Sequence, residues 1–406
     1  MKKAFLLLHI LIFLLIIVNC IPTKALEKNV IKSSQYMVEH YTDELRYRCI
    51  YSDSSADSNA LNVISHVDNK RPVFSTFVTP FYREFSNHCF EQMCYNGIKK
   101  EANYDYNRYW HGYSIVVRPL LLVITLNQIK VVLFVGYLIM AWYFLYLLLV
   151  NNYKEFGIAF ILMNIFYIVP FGFNCIEYVS VFYIYLFSCI GLIKKHKYVF
   201  ICSGILTAFF DFWTAETLTL TVPVLLYLYL NQQGIKFKDV FKNIGMWLFG
   251  YCFTFGYKWV LTSFLFQKNY VKIAIEHYLT HTKLVTSRIA IESNISTLFF
   301  DKLDYGTISM LYFVVLLVLL VVAYLFHREK TGKYLFCIIG TCFIPYVRYF
   351  VLAGHSFEFN SYTYRAQLVV IIGLVLLITD IDTKLLNRRE KKSALNNFNA
   401  MFKRRE

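Results

Sequence analysis

The chain has 406 residues, of which 57% are hydrophobic and 19% aromatic, and its mean hydropathy is +0.47. This composition excludes an ordinary soluble domain, which carries a clearly smaller apolar fraction. The net charge of +15 does not indicate nucleic-acid binding, because the lysines and arginines cluster in short stretches between apolar runs and at the C-terminus. Repeated apolar runs of about 18 or more residues predict an all-α polytopic integral membrane protein with about ten transmembrane helices.

The first predicted element, residues 1–20, is a transmembrane helix or signal anchor. Two lysines precede an apolar run from Ala4 to Val18, and no clean small-residue cleavage site follows. A cleaved signal peptide is the alternative. Residues 21–129 form a large first extracytoplasmic loop in this interpretation. Cys89 and Cys94 of that loop can form a disulfide if the loop faces an oxidising compartment.

The end of this loop carries the most informative segment of the chain. Residues 106–119 hold three Tyr, one Trp, one His and two Arg directly before a long apolar run. Such segments lie at the membrane surface, with aromatic rings at headgroup level and polar tips in water. Arg108, His111 and Arg118 can bind an anionic group there. The alternatives are arginines that reach lipid headgroups and a histidine with a local hydrogen bond.

Residues 130–383 are predicted to form a multi-span transmembrane domain, and residues 384–406 a basic cytoplasmic tail. With the N-terminus inside, every basic cluster falls on the same side: residues 194–197, 236–242, 328–333 and the tail. This agrees with the positive-inside rule and predicts that both termini are cytoplasmic. The Lys-, Asn-, Ile- and Tyr-rich composition favours a bacterial plasma membrane.

The predicted outer face gathers further candidate residues from the multi-span domain. Lys258 interrupts an apolar run with no acidic residue within two turns, so its expected partner is a substrate phosphate or Asp211. Arg348 near the outer end of a span binds a phosphate or reaches toward lipid headgroups. His355 and Arg365 lie in a predicted outer connection. Convergence of such groups on one face indicates an active site.

The sequence offers no metal-binding motif. His277 and His281 are four residues apart, a spacing that places two ligands on one helix face. No HExxH pattern and no third ligand accompany them, so contact with an acceptor or a headgroup is the better interpretation.

On these residues the chain resembles a group of bacterial membrane proteins of surface-polysaccharide assembly. The resemblance rests on Arg108–Tyr113 (RYWHGY), on 118–122 (RPLLL), on Asp211–Thr214 (DFWT) and on His355 with Arg365. The architecture is similar to the C-class (GT-C) glycosyltransferases, which have an inside N-terminus, a large first outer loop and many spans.

The resemblance implies a chemistry and assigns roles. Enzymes of this class move a sugar from a polyprenyl-phosphate donor to a glycan or lipid-linked acceptor, and a carboxylate of the first outer loop acts as general base. Asp57 in 56–62 (ADSNALN) is the best match, although Ala56 and Ser58-Asn59 depart from the pattern, and Asp43 is the second candidate.

The resemblance further implies that Arg108, His111, Arg118, Asp211, Lys258, Arg348, His355 and Arg365 bind the substrate and its phosphate. Some members of the class use a divalent cation such as Mg²⁺ or Mn²⁺, which nothing in this chain demands. Two other functions stay open: a polysaccharide polymerase or ligase, and a flippase or transporter of lipid-linked sugars. A transporter would favour internal repeats and charged groups near the membrane midplane, which the sequence does not show.

Overall fold

The structure, a computed structural model, describes residues 2–40, 54–84, 89–166, 175–232, 234–283, 287–298 and 332–378. Within these ranges the chain is almost entirely helical, and its one sheet has two short strands. The predicted all-α class is therefore confirmed for the described residues.

The helices and strands follow one another in short steps along the chain. The first part contains α1 (Lys2–Asn19), α2 (Thr23–His40), α3 (Ser54–Ser65), α4 (Pro72–Val78), β1 (Pro80–Phe81), α5 (Phe90–Gly97), β2 (Tyr104–Asp105) and α6 (Ser114–Leu121). The second contains α7 (Leu126–Val150), α8 (Lys154–Phe166), α9 (Ile176–Ile193), α10 (Val199–Phe210), α11 (Leu218–Leu230) and α12 (Phe237–Phe266). The third contains α13 (Tyr270–Lys283), α14 (Ser287–Leu298), α15 (Gly332–Val351), α16 (Ala353–Glu358), α17 (Asn360–Thr363) and α18 (Tyr364–Ile378), whose first turn is a 3₁₀-helix.

Three of the described helices, α7, α9 and α15, are long and apolar enough to cross a membrane. Helices α1 and α2 meet this criterion together and meet at an angle of 88°, so they can count as a fourth, broken span. Helices α10, α11 and α18 are apolar but shorter. These helices indicate membrane association. The predicted total of about ten spans is larger than the number of candidate spans among the described residues and stays a prediction.

Helix α7 shows how an apolar helix divides between the protein interior and the outside. Phe144 and Leu148 are buried on one side, whereas Ile139 and Trp142 on the other are 66% and 71% exposed. A helix that is apolar all round satisfies its own backbone hydrogen bonds and can face hydrocarbon on its outer side. The exposed side of α7 is therefore the surface that a bilayer would cover.

Helices α10 and α12 are in backbone contact because each has a glycine where they cross. A Cβ atom added at Gly204 would lie 2.2 Å from the carbonyl oxygen of Trp247, and one added at Gly250 would lie 2.5 Å from that of Ile201. Small residues at a helix crossing allow this close approach, which is a common way of packing helices in membranes.

The region predicted as a large loop, residues 21–129, contains a folded helical unit in its described part. Helices α2, α3 and α6 share a core that includes Leu26, Leu61 and Val117. The turn between α1 and α2 directs α2 along this core. Cys89 and Cys94 are free thiols, and the Asn62 amide contacts the Cys94 sulfur at 3.4 Å. The disulfide between these two cysteines, considered on sequence grounds, is thus not formed.

Candidate functional site

Most of the candidate residues meet at one end of the helix bundle. Helices α7, α9, α11 and α18 begin at this end, and α10, α12 and α15 finish there. We call it the polar end. Among the side-chain contacts that define it are those of Asp57 with the first turn of α9 and of Arg348 with the turn between α10 and α11. The opposite end is marked by Glu155, which accepts a hydrogen bond from the Tyr229 hydroxyl at 2.5 Å.

Asp57 lies in the first turn of α3 and is fully buried. Its Oδ2 accepts a hydrogen bond from the Lys130 ammonium at 2.6 Å, and its Oδ1 accepts one from the Ile176 backbone N–H at 2.8 Å. Ile176 is the first residue of α9, so the carboxylate also lies at the positive end of a helix dipole. These contacts hold Asp57 in place at the polar end. Asp43, the second candidate base, falls outside the described residues.

Glu177 is a second carboxylate beside Asp57. It is nearly buried, and its Oε1 accepts a hydrogen bond from the Asn59 amide at 3.1 Å. Burial raises the pKa of Tyr106, Tyr109 and Tyr113, and the negative charge of Glu177 raises each of them further. These three phenols therefore stay protonated at neutral pH and can donate hydrogen bonds.

Sequence reasoning missed Lys130 and Glu177. Each lies in the first two turns of a long apolar helix, where a single charged residue is unusual. An ionisable residue inside an apolar span is a functional candidate by default. The same sequence signal that marks Lys258 also marks Lys130 in α7 and Glu177 in α9.

The segment 106–113 is held against α12. The Trp110 indole N–H donates to the Thr254 carbonyl at 3.0 Å, and the Trp259 indole N–H donates to the Arg108 carbonyl at 3.2 Å. The Arg108 guanidinium carbon lies 4.9 Å from the centre of the Tyr106 ring. Cation–π contact of this kind fixes the guanidinium in place beside the aromatic rings.

Lys258, in α12, contacts the segment 106–113. Its side chain is fully buried, its ammonium group donates to the Tyr109 carbonyl oxygen, and the ammonium nitrogen lies 5.2 Å from the centre of the Trp110 ring. The sequence predicted a substrate phosphate or Asp211 as the partner of Lys258. The observed contacts are instead with Tyr109 and Trp110. We therefore regard Lys258 as a residue that positions the aromatic segment.

His111 is buried within this aromatic segment. Its Nε2 donates to the Tyr106 carbonyl at 3.1 Å, and its ring lies 4.9 Å from that of Tyr106 and 5.1 Å from that of Phe212. Burial, and then the positive charge of Lys258, hold the pKa of His111 well below its ordinary value. The imidazole is therefore neutral at pH 7, and its one N–H is already donated to the Tyr106 carbonyl, so this ring is not arranged to bind a phosphate.

Asp211 begins the turn between α10 and α11. Its carboxylate accepts hydrogen bonds from the Thr214 hydroxyl at 2.5 Å and from the Thr214 backbone N–H at 3.1 Å. Burial, and then the nearby Glu216, raise the pKa of Asp211 to about 7. This carboxyl group is therefore partly protonated at neutral pH and suits proton exchange better than cation binding.

Arg348 joins the α10–α11 turn to α16. Its Nε donates to Glu216 Oε1 at 2.9 Å, and its terminal nitrogens donate to the Trp213 carbonyl at 2.5 Å and the Ser356 hydroxyl at 2.5 Å. It also contacts His355 Nδ1 at 3.2 Å. Glu216 balances the positive charge of Arg348. The hydrogen bonds of Arg348 hold the parts of the polar end together.

Arg365 is also buried, in the first turn of α18. Its guanidinium carbon lies 4.7 Å from the centre of the Tyr178 ring and 5.6 Å from that of the Tyr364 ring. Tyr178 is in the first turn of α9, one residue after Glu177. The structure therefore places Arg365 against the first turn of α9, the turn that Asp57 also contacts.

Arg118 has a different environment. It is fully buried, and its guanidinium donates to three backbone carbonyls, those of Ile64 at 2.7 Å, Ile21 at 2.7 Å and Val18 at 3.1 Å. These contacts fix the joint between α1 and α2 to α3 and α6. They engage each nitrogen of the guanidinium, so we leave Arg118 out of the candidate substrate site despite its predicted role.

The described residues contain no group of three or more His, Cys, Asp or Glu side chains that could hold a metal ion. His277 and His281 are both on α13. Comparison of the chain with protein-family models, with curated proteins and with solved structures found no match.

Proposed function

We propose that the protein is a membrane glycosyltransferase that moves a sugar from a polyprenyl-phosphate donor to a glycan or lipid-linked acceptor. The proposal includes a GT-C-like arrangement of about ten spans with both termini cytoplasmic, and a polar end on the extracytoplasmic face. The observation that carries it is the convergence of Asp57 and Arg365 on the first turn of α9, at one end of an apolar helix bundle.

Asp57 is the proposed general base. Sugar transfer requires an acceptor hydroxyl to lose its proton as the new bond forms, and an ionised carboxylate accepts that proton. The Ile176 N–H and the Lys130 ammonium hold the Asp57 carboxylate in a fixed orientation. An acceptor hydroxyl that displaced Lys130 from Oδ2 would have direct access to the base.

Arg365 and Arg108 are the proposed phosphate ligands. Each guanidinium lies against tyrosine rings, so its flat face is occupied while its N–H donors lie in the plane. The departing polyprenyl phosphate gains negative charge in the transition state, and guanidinium groups held in this way stabilise that charge. The surrounding aromatic rings provide surfaces on which a sugar can pack.

The test is transfer from a panel of radiolabelled polyprenyl-phosphate sugars in proteoliposomes. Arg365→Gln should lower kcat/KM at least tenfold for the accepted donor. Arg288→Gln is the matched control, because Arg288 is largely exposed and pairs with Glu292; it should transfer at the wild-type rate.

Two results would overturn the proposal. The first is no transfer from any donor by folded wild-type protein, together with movement of lipid-linked sugars across the vesicle membrane, which would identify a flippase. The second is processive growth of a long glycan, which would identify a polymerase.

A further inference from the structure

A small cavity lies where the end of α1 meets α4 and the segment 106–113. Its volume is about 10 Å³, and the side chains around it include Asn19, Thr76, His111 and Ser114. Asn19 and His111 are each 3% exposed. Within the described part of the chain, neither Asn19 Oδ1 nor His111 Nδ1 has a hydrogen-bond partner, although both atoms are buried.

The orientation of the Asn19 amide follows from its neighbours. The Thr76 hydroxyl donates to the Pro72 carbonyl at 2.8 Å, so its oxygen is left to accept. The Asn19 Nδ2 group donates to that oxygen at 3.0 Å. The amide oxygen of Asn19 therefore points away from Thr76, and it can only accept a hydrogen bond.

The tautomer of His111 follows in the same way. A carbonyl oxygen only accepts, so the contact between His111 Nε2 and the Tyr106 carbonyl requires the proton to be on Nε2. The pKa of His111 is held well below its ordinary value, chiefly by burial, so the ring is neutral and carries one proton. Nδ1 is then a second buried acceptor beside the same cavity.

We propose that this cavity binds one water molecule, which donates one hydrogen bond to Asn19 Oδ1 and the other to His111 Nδ1. Two acceptors around a space of this size need a small ligand with two donors, and a space of roughly 10–15 Å³ is enough for the centre of one water. An ammonium ion has the donors as well, but the positive charges of Lys258 and Arg108 near His111 disfavour a cation.

The proposed water would connect the first helix to the RYWHGY segment. Asn19 is the last residue of α1, and His111 has a positive φ of 54° within a tight turn. A bridging water would stabilise this turn, since a buried acceptor that lacks a donor is destabilising. This inference does not depend on the proposed transferase activity.

The direct test is an experimental structure in lipid nanodiscs at a resolution that shows ordered water. We expect a single density within about 2.7–3.2 Å of both Asn19 Oδ1 and His111 Nδ1. A map that shows both side chains in place with nothing between them would overturn the proposal. So would a rotated His111 ring whose Nδ1 contacts a protein donor.

A second test reads the tautomer in solution. Nitrogen-15 NMR of protein labelled at histidine, with His111 assigned from the His111→Gln variant, should show a neutral ring protonated on Nε2. A proton on Nδ1 would remove the second acceptor and refute the water site. Asn19→Leu should lower the thermal unfolding midpoint by roughly 2–4 °C.

Discussion

Replacement of Asp57 by Asn tests the central ion pair of the polar end. Asp57 Oδ2 and the Lys130 ammonium nitrogen are 2.6 Å apart, and the two side chains are 1% and 14% exposed. Removal of one partner of a buried ion pair costs about 3–5 kcal/mol, because the other charge is left without compensation. We therefore expect Asp57→Asn to lower the free energy of unfolding by about 4 kcal/mol.

An asparagine cannot take over both contacts of Asp57. Its oxygen can still accept from the Ile176 N–H, but its NH₂ group is a donor and would face the Lys130 ammonium, which is also a donor. In the double variant Asp57→Asn with Lys130→Gln, the charge is gone and the glutamine oxygen can accept from the asparagine. The double variant should recover most of the lost stability, which gives a large coupling energy in a double-mutant cycle.

The assay is denaturant or thermal unfolding of the detergent-purified variants, followed by transfer activity of those that fold. If Asp57 is the base, the double variant will be folded and inactive. Wild-type stability of Asp57→Asn alone would refute the role of the ion pair in folding. Transfer activity in the double variant would refute Asp57 as the base.

Three further predictions follow from other contacts. Arg118→Ala removes the side-chain donor from the Ile64 and Ile21 carbonyls, while the Val18 carbonyl keeps the Ile21 N–H at 3.2 Å. Unfolding measurements should show a loss of roughly 2–6 kcal/mol; an unchanged midpoint would contradict this. Because the pKa of Asp211 in the folded protein is raised to about 7, the folded state binds a proton that the unfolded state releases near pH 4. Stability should then fall as pH rises from about 4 to 7 and level off above, and Asp211→Asn should flatten this slope in unfolding measured against pH. Gly204→Ala should destabilise the α10–α12 crossing by about 1–3 kcal/mol, whereas Gly256→Ala, with open space at its Cβ position, should not; equal unfolding midpoints would refute the argument.

The parts of the fold that could be predicted are those set by local sequence. Helix α7 is a continuous apolar run, and its start at Leu126 lies close to the predicted boundary after residue 129. The folded unit before it could not be predicted in the same way. It depends on contacts such as those of Arg118 with the carbonyls of Val18 and Ile64, which are 100 and 54 residues away in sequence.

The candidate site was predictable only where a local sequence pattern marks it. The dense pattern of residues 106–113 marks this segment in the sequence. The contacts of Lys130 and Glu177 could not be predicted, because their partners are distant: Asp57 lies 73 residues from Lys130, and Asn59 lies 118 residues from Glu177. No periodicity or spacing in a single sequence encodes such pairs.

The contacts of the basic side chains indicate which of them is best placed to bind the phosphate of the proposed substrate. Lys258 is directed to a backbone carbonyl, and Arg348 is balanced by Glu216. His111 is neutral at pH 7. Arg365 differs from these residues, because its guanidinium lies against tyrosine rings, which occupy its face but do not neutralise its charge. Among these residues, Arg365 should therefore contribute most to the binding of a phosphate at the polar end. In variants that remain folded, Arg365→Gln should lower transfer activity more than Lys258→Gln does.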